Sequence, residues 1–137
     1  MSPIVRNIIA VIVGITIGSM LNMALIMISS RVIPLPPGVD PTDMNSLKAN
    51  IASFPIKNFI FPFLAHAFGT LIGAFVVTKI AATNQFRLAM TLGVFFLIGG
   101  ILMVTDLPSP MWFNVLDLVG AYIPMAWIGW KMARSKK

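Results

Sequence analysis

The sequence predicts an all-α integral membrane protein: a four-helix bundle with a short interfacial helix in its first external loop. Composition is the first observation behind this. The 137 residues are 58% hydrophobic and only 10% charged, with a mean hydropathy of +0.91, whereas about a quarter of the residues in a soluble domain are charged. Run length is the second. Apolar runs lie near residues 4–30, 58–82, 86–105 and 110–131, and crossing hydrocarbon about 30 Å thick takes about 20 residues at a rise of about 1.5 Å each. Continuity is the third, because barrel strands would alternate over about 10 residues and these runs do not. Residues 1–137 therefore read as a single transmembrane domain with no space for a soluble one.

The first run is apolar from Ile8 to Ile28, longer than the usual 7 to 15 residues of a signal peptide (roughly) and without a small-x-small cleavage site before Arg31, so it reads as a retained span. Gly14 and Gly18 form a small-xxx-small pair in it, which lets helix backbones approach closely where lipid supplies no hydrophobic drive. The connection 31–57 begins "RVIPLPPGVD". Its prolines cannot continue a helix, so the chain leaves the bilayer extended. A helix then restarts over about 41–54: Asp40 is the expected N-cap, Pro41 the first helical position, and Asp43 a favourable charge in the first turn. Met44, Leu47, Ile51 and Phe54 recur at helical spacing, a narrow stripe to lay against lipid or across the tops of the spans.

The second span holds another glycine pair, Gly69 and Gly73, and the only histidine, His66. In the third, Gly99 and Gly100 thin the helix for a neighbour. The turn 105–110 carries Asp106 and no positive charge. In the fourth, Pro124 removes a donor for the Gly120 carbonyl and predicts a kink. Trp112 and Trp130, near its ends, suit interfacial belts.

Orientation follows from the ten Lys and Arg residues. Arg6, Lys79, Arg87, Lys131, Arg134, Lys136 and Lys137 fall on one side, and Arg31, Lys48 and Lys57 on the other, so the positive-inside rule places both termini in the cytoplasm. The tail "KMARSKK" reads as a topology anchor that attracts anionic headgroups, and nucleic acid is not an expected partner. The lipid bilayer is. The glycine pairs predict tight helix packing, within the chain or between subunits, and a second copy of the chain or another membrane protein is a further expected partner. There is no cysteine, hence no disulfide, thiolate nucleophile or cysteine metal site.

Depth singles out the candidate site. His66 lies about eight residues into its span, Asp117 about seven into the fourth, and Asn22 about eight from the outer end of the first, all roughly 10 Å below the outer boundary. Asp117 at that depth costs at least about 2.5 kcal/mol unless it finds a donor. His66 is the ionisable partner at the same level, Asn22 and Tyr122 can add hydrogen bonds, and Asn114 is expected to line an entrance. The cluster Asn22, His66, Asp117, Asn114 and Tyr122 thus reads as a ligand or proton site, or as a structural hydrogen-bond cluster that fixes helix register. Catalysis is disfavoured, since only Ser19, about a turn below Asn22, lies near enough to act as a nucleophile. One histidine with Asp117 and Asp106 falls short of a zinc site. No cofactor is indicated. Haem on His66 and one of the ten methionines is the form left open, although methionine more often fills gaps between helices.

The stretches "LPPGVDPTDMNSLKANI", "FIFPFLAHAFGTLIGAF" and "WFNVLDLVGAYIPMAW" resemble small four-span bacterial inner-membrane proteins of no known activity. The resemblance covers under half of the chain and implies a bacterial inner membrane; it carries no reaction and no site residues. Length and span count are also similar to those of small multidrug transporters, but their pattern has an essential glutamate in the first span, and here that span contains no acid. The reading is therefore a non-enzymatic membrane module that binds a ligand or partner at its outer half, with a small-solute or proton-coupled transporter as the alternative.

Overall fold

The structure, a computed structural model, describes residues 1–135; Lys136 and Lys137, two of the cations used to orient the chain, lie outside the described residues. All regular structure among those residues is helical. Helix α1 runs Pro3–Val32, capped by the Ser2 hydroxyl, which accepts from the Val5 amide. A short α2, Met44–Asn50, and 3-10 turns at Ile51–Ser53 and Ile56–Phe59 lead into α3, Ile60–Ile80. Then come α4, Gln85–Asp106, α5, Met111–Gly120, and α6, Ile123–Arg134. Pro3–Val32, Ile56–Ile80, Gln85–Asp106 and Met111–Arg134 are each long and apolar enough to cross a membrane. This is the four-helix bundle that the composition and run lengths predict, and α2 is its short helix outside the spans.

Two local expectations need correction. The interfacial helix starts at Met44, not Pro41, and its cap is Asp43, which accepts from the Asn45 amide. Asp40 is already committed elsewhere: its carboxylate accepts from the amide and the hydroxyl of Thr42 at 2.8 Å and 2.7 Å, a local turn that competes with capping. The fourth span is likewise two helices, not one kinked helix. The last α5 bond runs from the Ala121 amide to the Asp117 carbonyl, and α6 restarts with Ala126 donating to Tyr122. Pro124, near the start of α6, fits there because an N–H at the first helical positions has no intrahelical acceptor and proline has none to leave unpaired.

Helix α3 sits at the centre, against α1, α4 and α6. Its contact with α1 is a seam of four glycines. A Cβ on Gly69 would stand 2.9 Å from the Gly18 carbonyl oxygen, and one on Gly73 would stand 2.9 Å from the Gly14 oxygen. Backbones this close exclude any side chain but hydrogen. The pairs read as Gly14/Gly18 and Gly69/Gly73 thus face each other within one chain, not a second copy. Toward the end that carries the termini, Ala74, Val77, Ala89, Leu92 and Ala126 form a fully buried layer. At the opposite end Ile51, Phe59 and Phe113 pack together, with Phe54 against them, so the half of the predicted stripe that follows α2 lies across the tops of the spans while Met44 is exposed. Lys48 reaches Asp106 at 2.6 Å, joining this connection to the end of α4.

At the terminal end α1 clasps the α3–α4 turn. Arg6 Nε donates to the Ile80 carbonyl at 2.6 Å, and the Asn7 amide donates to Thr83 at 2.9 Å while accepting from the Ala82 amide. Asn84 then takes a left-handed φ of 51°, a conformation asparagine tolerates better than most residues.

Candidate functional site

Asp117 lies in the last turn of α5, where the helix dipole places negative potential and disfavours a carboxylate. Buried there at 3% side-chain exposure, it requires donors, and two arrive from other segments. His66 Nδ1, from the second turn of α3, sits astride both carboxylate oxygens at 2.8 Å and 2.9 Å. The Tyr122 hydroxyl donates to Oδ2 at 3.1 Å. In an unbroken helix, residues five apart point about 140° away from each other, so the Tyr122 bond exists because α5 stops and the chain turns before α6. The Tyr122 ring also stacks on the imidazole, with centroids 5.7 Å apart and planes inclined by 26°.

Gly100 of α4 makes room for this arrangement, since a Cβ there would stand 2.6 Å from the Tyr122 hydroxyl. The Thr70 hydroxyl donates to the His66 carbonyl at 2.8 Å and is thereby occupied. The imidazole itself is not sealed. Its side chain is 22% exposed, and no hydrogen bond reaches Nε2 among the described residues. With Nδ1 donating to the carboxylate, Nε2 offers a lone pair when the ring is neutral and an N–H when it is protonated.

His66 lines a cavity of about 240 Å³ between α1, α3 and α4. Asn22 and Tyr122 share its wall, and Asp117 stands behind His66, off the wall. Asn22 does not join the hydrogen-bonded cluster: its Oδ1 is buried with no partner, and its Cβ is instead pressed against the α3 backbone at Gly69. Asn114 is not at an entrance. Its amide donates to the Ser109 carbonyl at 3.1 Å, which fixes the turn before α5, and it does not line the cavity. Of the five polar residues expected to gather, three therefore form one bonded group, one faces the same space unbonded, and one serves the neighbouring turn.

The cavity also uses Gly99 of α4, read from the sequence as thinning that helix, together with Gly18 and Ser19 of α1, Phe96 and Met103 of α4 and Gly69 of α3, which sequence reasoning did not assign to it. Their signal was spacing. Ser19 and Gly18 precede Asn22 by three and four residues, Gly69 and Thr70 follow His66 by the same steps, and such positions share a helix face. No group of three or more His, Asp or Glu side chains among the described residues could hold a metal ion. At about 240 Å³ the cavity lies below the roughly 300–1,000 Å³ of pockets for drug-sized ligands.

No protein-family model matches the chain, and neither the curated proteins nor the solved structures contain a match to it. The functional reading therefore rests on the site alone, and its chemistry is that of a hydrogen-bonding host. The imidazole Nε2 is presented to a small uncharged space that Asn22 and Ser19 also line, and the ring is oriented from behind by a carboxylate and beside it by a phenol.

Proposed function

We propose that this chain is a non-enzymatic, ligand-binding membrane protein whose His66 holds a small molecule in the outer half of the bilayer. The observation that carries the reading is the unpaired, accessible Nε2 facing the cavity, with Nδ1 anchored on buried Asp117. An intramembrane ionisable pair is retained against a cost, and the default account is function. The charge distribution supports a cytoplasmic location for both termini, because Arg6, Lys79, Arg87, Lys131 and Arg134 gather at one end and Arg31, Lys48 and Lys57 at the other. The resemblance noted above supports a bacterial inner membrane. Self-association, if the protein is oligomeric, would use a surface other than the glycine seam, which is occupied within the chain.

Binding is favoured over transport by the apolar layer around Leu92 and Val77, which closes the cavity from the terminal end. The test is native mass spectrometry of protein extracted from its own membrane. The expected result is a small-molecule adduct on the wild type that is lost in His66→Ala. An adduct retained by His66→Ala would refute His66 as its holder, and uptake of protons or solute into sealed proteoliposomes would replace binding by transport.

A further inference from the structure

We propose that the ligand enters this cavity sideways from the bilayer and is a membrane-dissolved compound with an uncharged hydroxyl head; this rests on the reading of His66 as a ligand site. The mouth is the first support. Helices α1 and α4 approach each other at Gly14 with Leu92 and at Gly18 with Phe96, and next to that contact Ser19 and Asn22 of α1 face Gly99 and Met103 of α4 across the cavity. The cavity occupies the gap, and three of its wall residues, Ser19, Gly99 and Met103, are exposed on the outside of the bundle. A Cβ on Gly99 would meet nothing within 4 Å. Ser19 lies about 20 Å along α1 from its Val32 end at a rise of about 1.5 Å per residue, well within a hydrocarbon layer about 30 Å thick. An opening at that height faces acyl chains.

Chemistry supplies the head group. A hydroxyl donates to a neutral imidazole and accepts from a protonated one, so it satisfies Nε2 in either state. A charged head reaching Nε2 through hydrocarbon would be strongly disfavoured on the way in. The rest of the wall is uncharged, with Phe96, Met103 and glycine backbone beside the polar groups of Ser19, Asn22, Thr70 and Tyr122, so it admits a slender neutral body and offers no counter-charge.

The single histidine provides a readout without background. Protein labelled with 15N-histidine and reconstituted in lipid bilayers would be titrated with 2-naphthol and, as a control, with its methyl ether, 2-methoxynaphthalene. The expected result is a saturable shift of the Nε2 resonance by 2-naphthol, with the ether weaker by about tenfold or more. Gly99→Leu, whose side chain has open space to occupy, should weaken the naphthol response by a similar factor while leaving the Asp117-bonded Nδ1 resonance in place. Equal responses to naphthol and ether would overturn the hydroxyl class. Entry is read separately by paramagnetic relaxation of the imidazole protons: acyl-chain nitroxide lipids should broaden them more than an aqueous nickel chelate. Broadening by nickel alone would overturn lateral entry and leave the His66 site standing, whereas broadening by neither agent, with no response to either naphthalene, would remove both proposals.

Discussion

One methyl group added at Gly18 should open the seam between α1 and α3, and the same methyl added at Gly99 should not. In Gly18→Ala the new Cβ stands 2.6 Å from the Gly69 carbonyl oxygen and 3.0 Å from the Phe96 ring. Ordinary contact begins near 3.4 Å, so α1 must retreat by about 0.8 Å from a backbone atom that cannot rotate away. A gap of about 0.5–1 Å forfeits roughly a quarter to a half of the dispersion attraction between the surfaces it separates. Overpacking of this kind costs about 1–3 kcal/mol. Replacing glycine by alanine inside a helix returns about 0.8–1 kcal/mol of propensity, and this gain is common to both sites. At Gly99 no atom lies within 4 Å of the added carbon, so only the gain remains. The two variants should therefore differ by about 1–3 kcal/mol, Gly99→Ala the more stable. Reversible unfolding in bicelles, followed by far-UV circular dichroism, measures the difference. Midpoints that agree within about 0.5 kcal/mol would mean that α1 and α3 do not meet through these glycines.

Three further outcomes are expected. Asp117→Asn and His66→Ala should each destabilise the protein, with a coupling of about 1–2 kcal/mol in a double-mutant cycle, the upper range for hydrogen bonds between membrane helices; strictly additive effects would remove the pair. Tyr122→Phe deletes the 3.1 Å bond to Asp117 and should cost about 0.5–1.5 kcal/mol in the same unfolding experiment, while an unchanged midpoint would show that the hydroxyl bond contributes nothing. Outside the spans, the side-chain and then the backbone hydrogen bond from Thr42 hold the Asp40 carboxyl below its ordinary value of 3.8. A depressed folded value stabilises the turn above the ordinary one and loses that contribution as pH falls below 3.8 through the lowered value. Exchange protection of the Thr42 amide should fall over that acid range in the wild type and be insensitive to it in Asp40→Asn.

How much of this was legible follows from which forces act along the chain and which act across it. The spans were legible because hydrocarbon thickness sets a length and hydropathy reveals it. His66 and Asp117 stand 51 positions apart, yet counting inward from the boundaries put them at one height, since lipid disfavours a lone carboxylate there. The break after α5 was only half legible: Pro124 announces irregularity, but the Ala121–Tyr122 turn depends on Tyr122 finding Asp117 and on the space left by Gly100. Asp40 and Asp43 are equally good caps by residue type, and the choice fell to Thr42, which engages Asp40 locally. Asn114 was misread because a buried amide at a helix start serves the preceding turn as readily as a cavity. The glycine seam was visible as spacing, but spacing alone does not say whether the facing surface belongs to the same chain.

The distribution of titratable groups separates a binding site from a transport path. A carried proton or ion must find a second acceptor beyond the first, and below His66 the next ionisable side chains on the spans are Lys79, Arg6, Arg87 and Lys131, all at the terminal end. Between lie Leu92, Val77 and three alanines with no exposure, and the buried Thr78 hydroxyl donates to the Ala74 carbonyl of its own helix at 2.8 Å. Alternating access would have to part α1 from α3 there, where glycine backbones touch and leave no loose side chain to rearrange. The outer half is built differently: a cavity separates Ser19 and Asn22 of α1 from Gly99 and Met103 of α4, glycine replaces bulk on α4, and one imidazole nitrogen is left without a partner. On the binding reading proposed above, a closed floor beneath a side-opening hollow would hold a molecule and release it by the route it entered. Proteoliposome flux that persists in His66→Ala would place any transport elsewhere, and flux that disappears with it would require that floor to move.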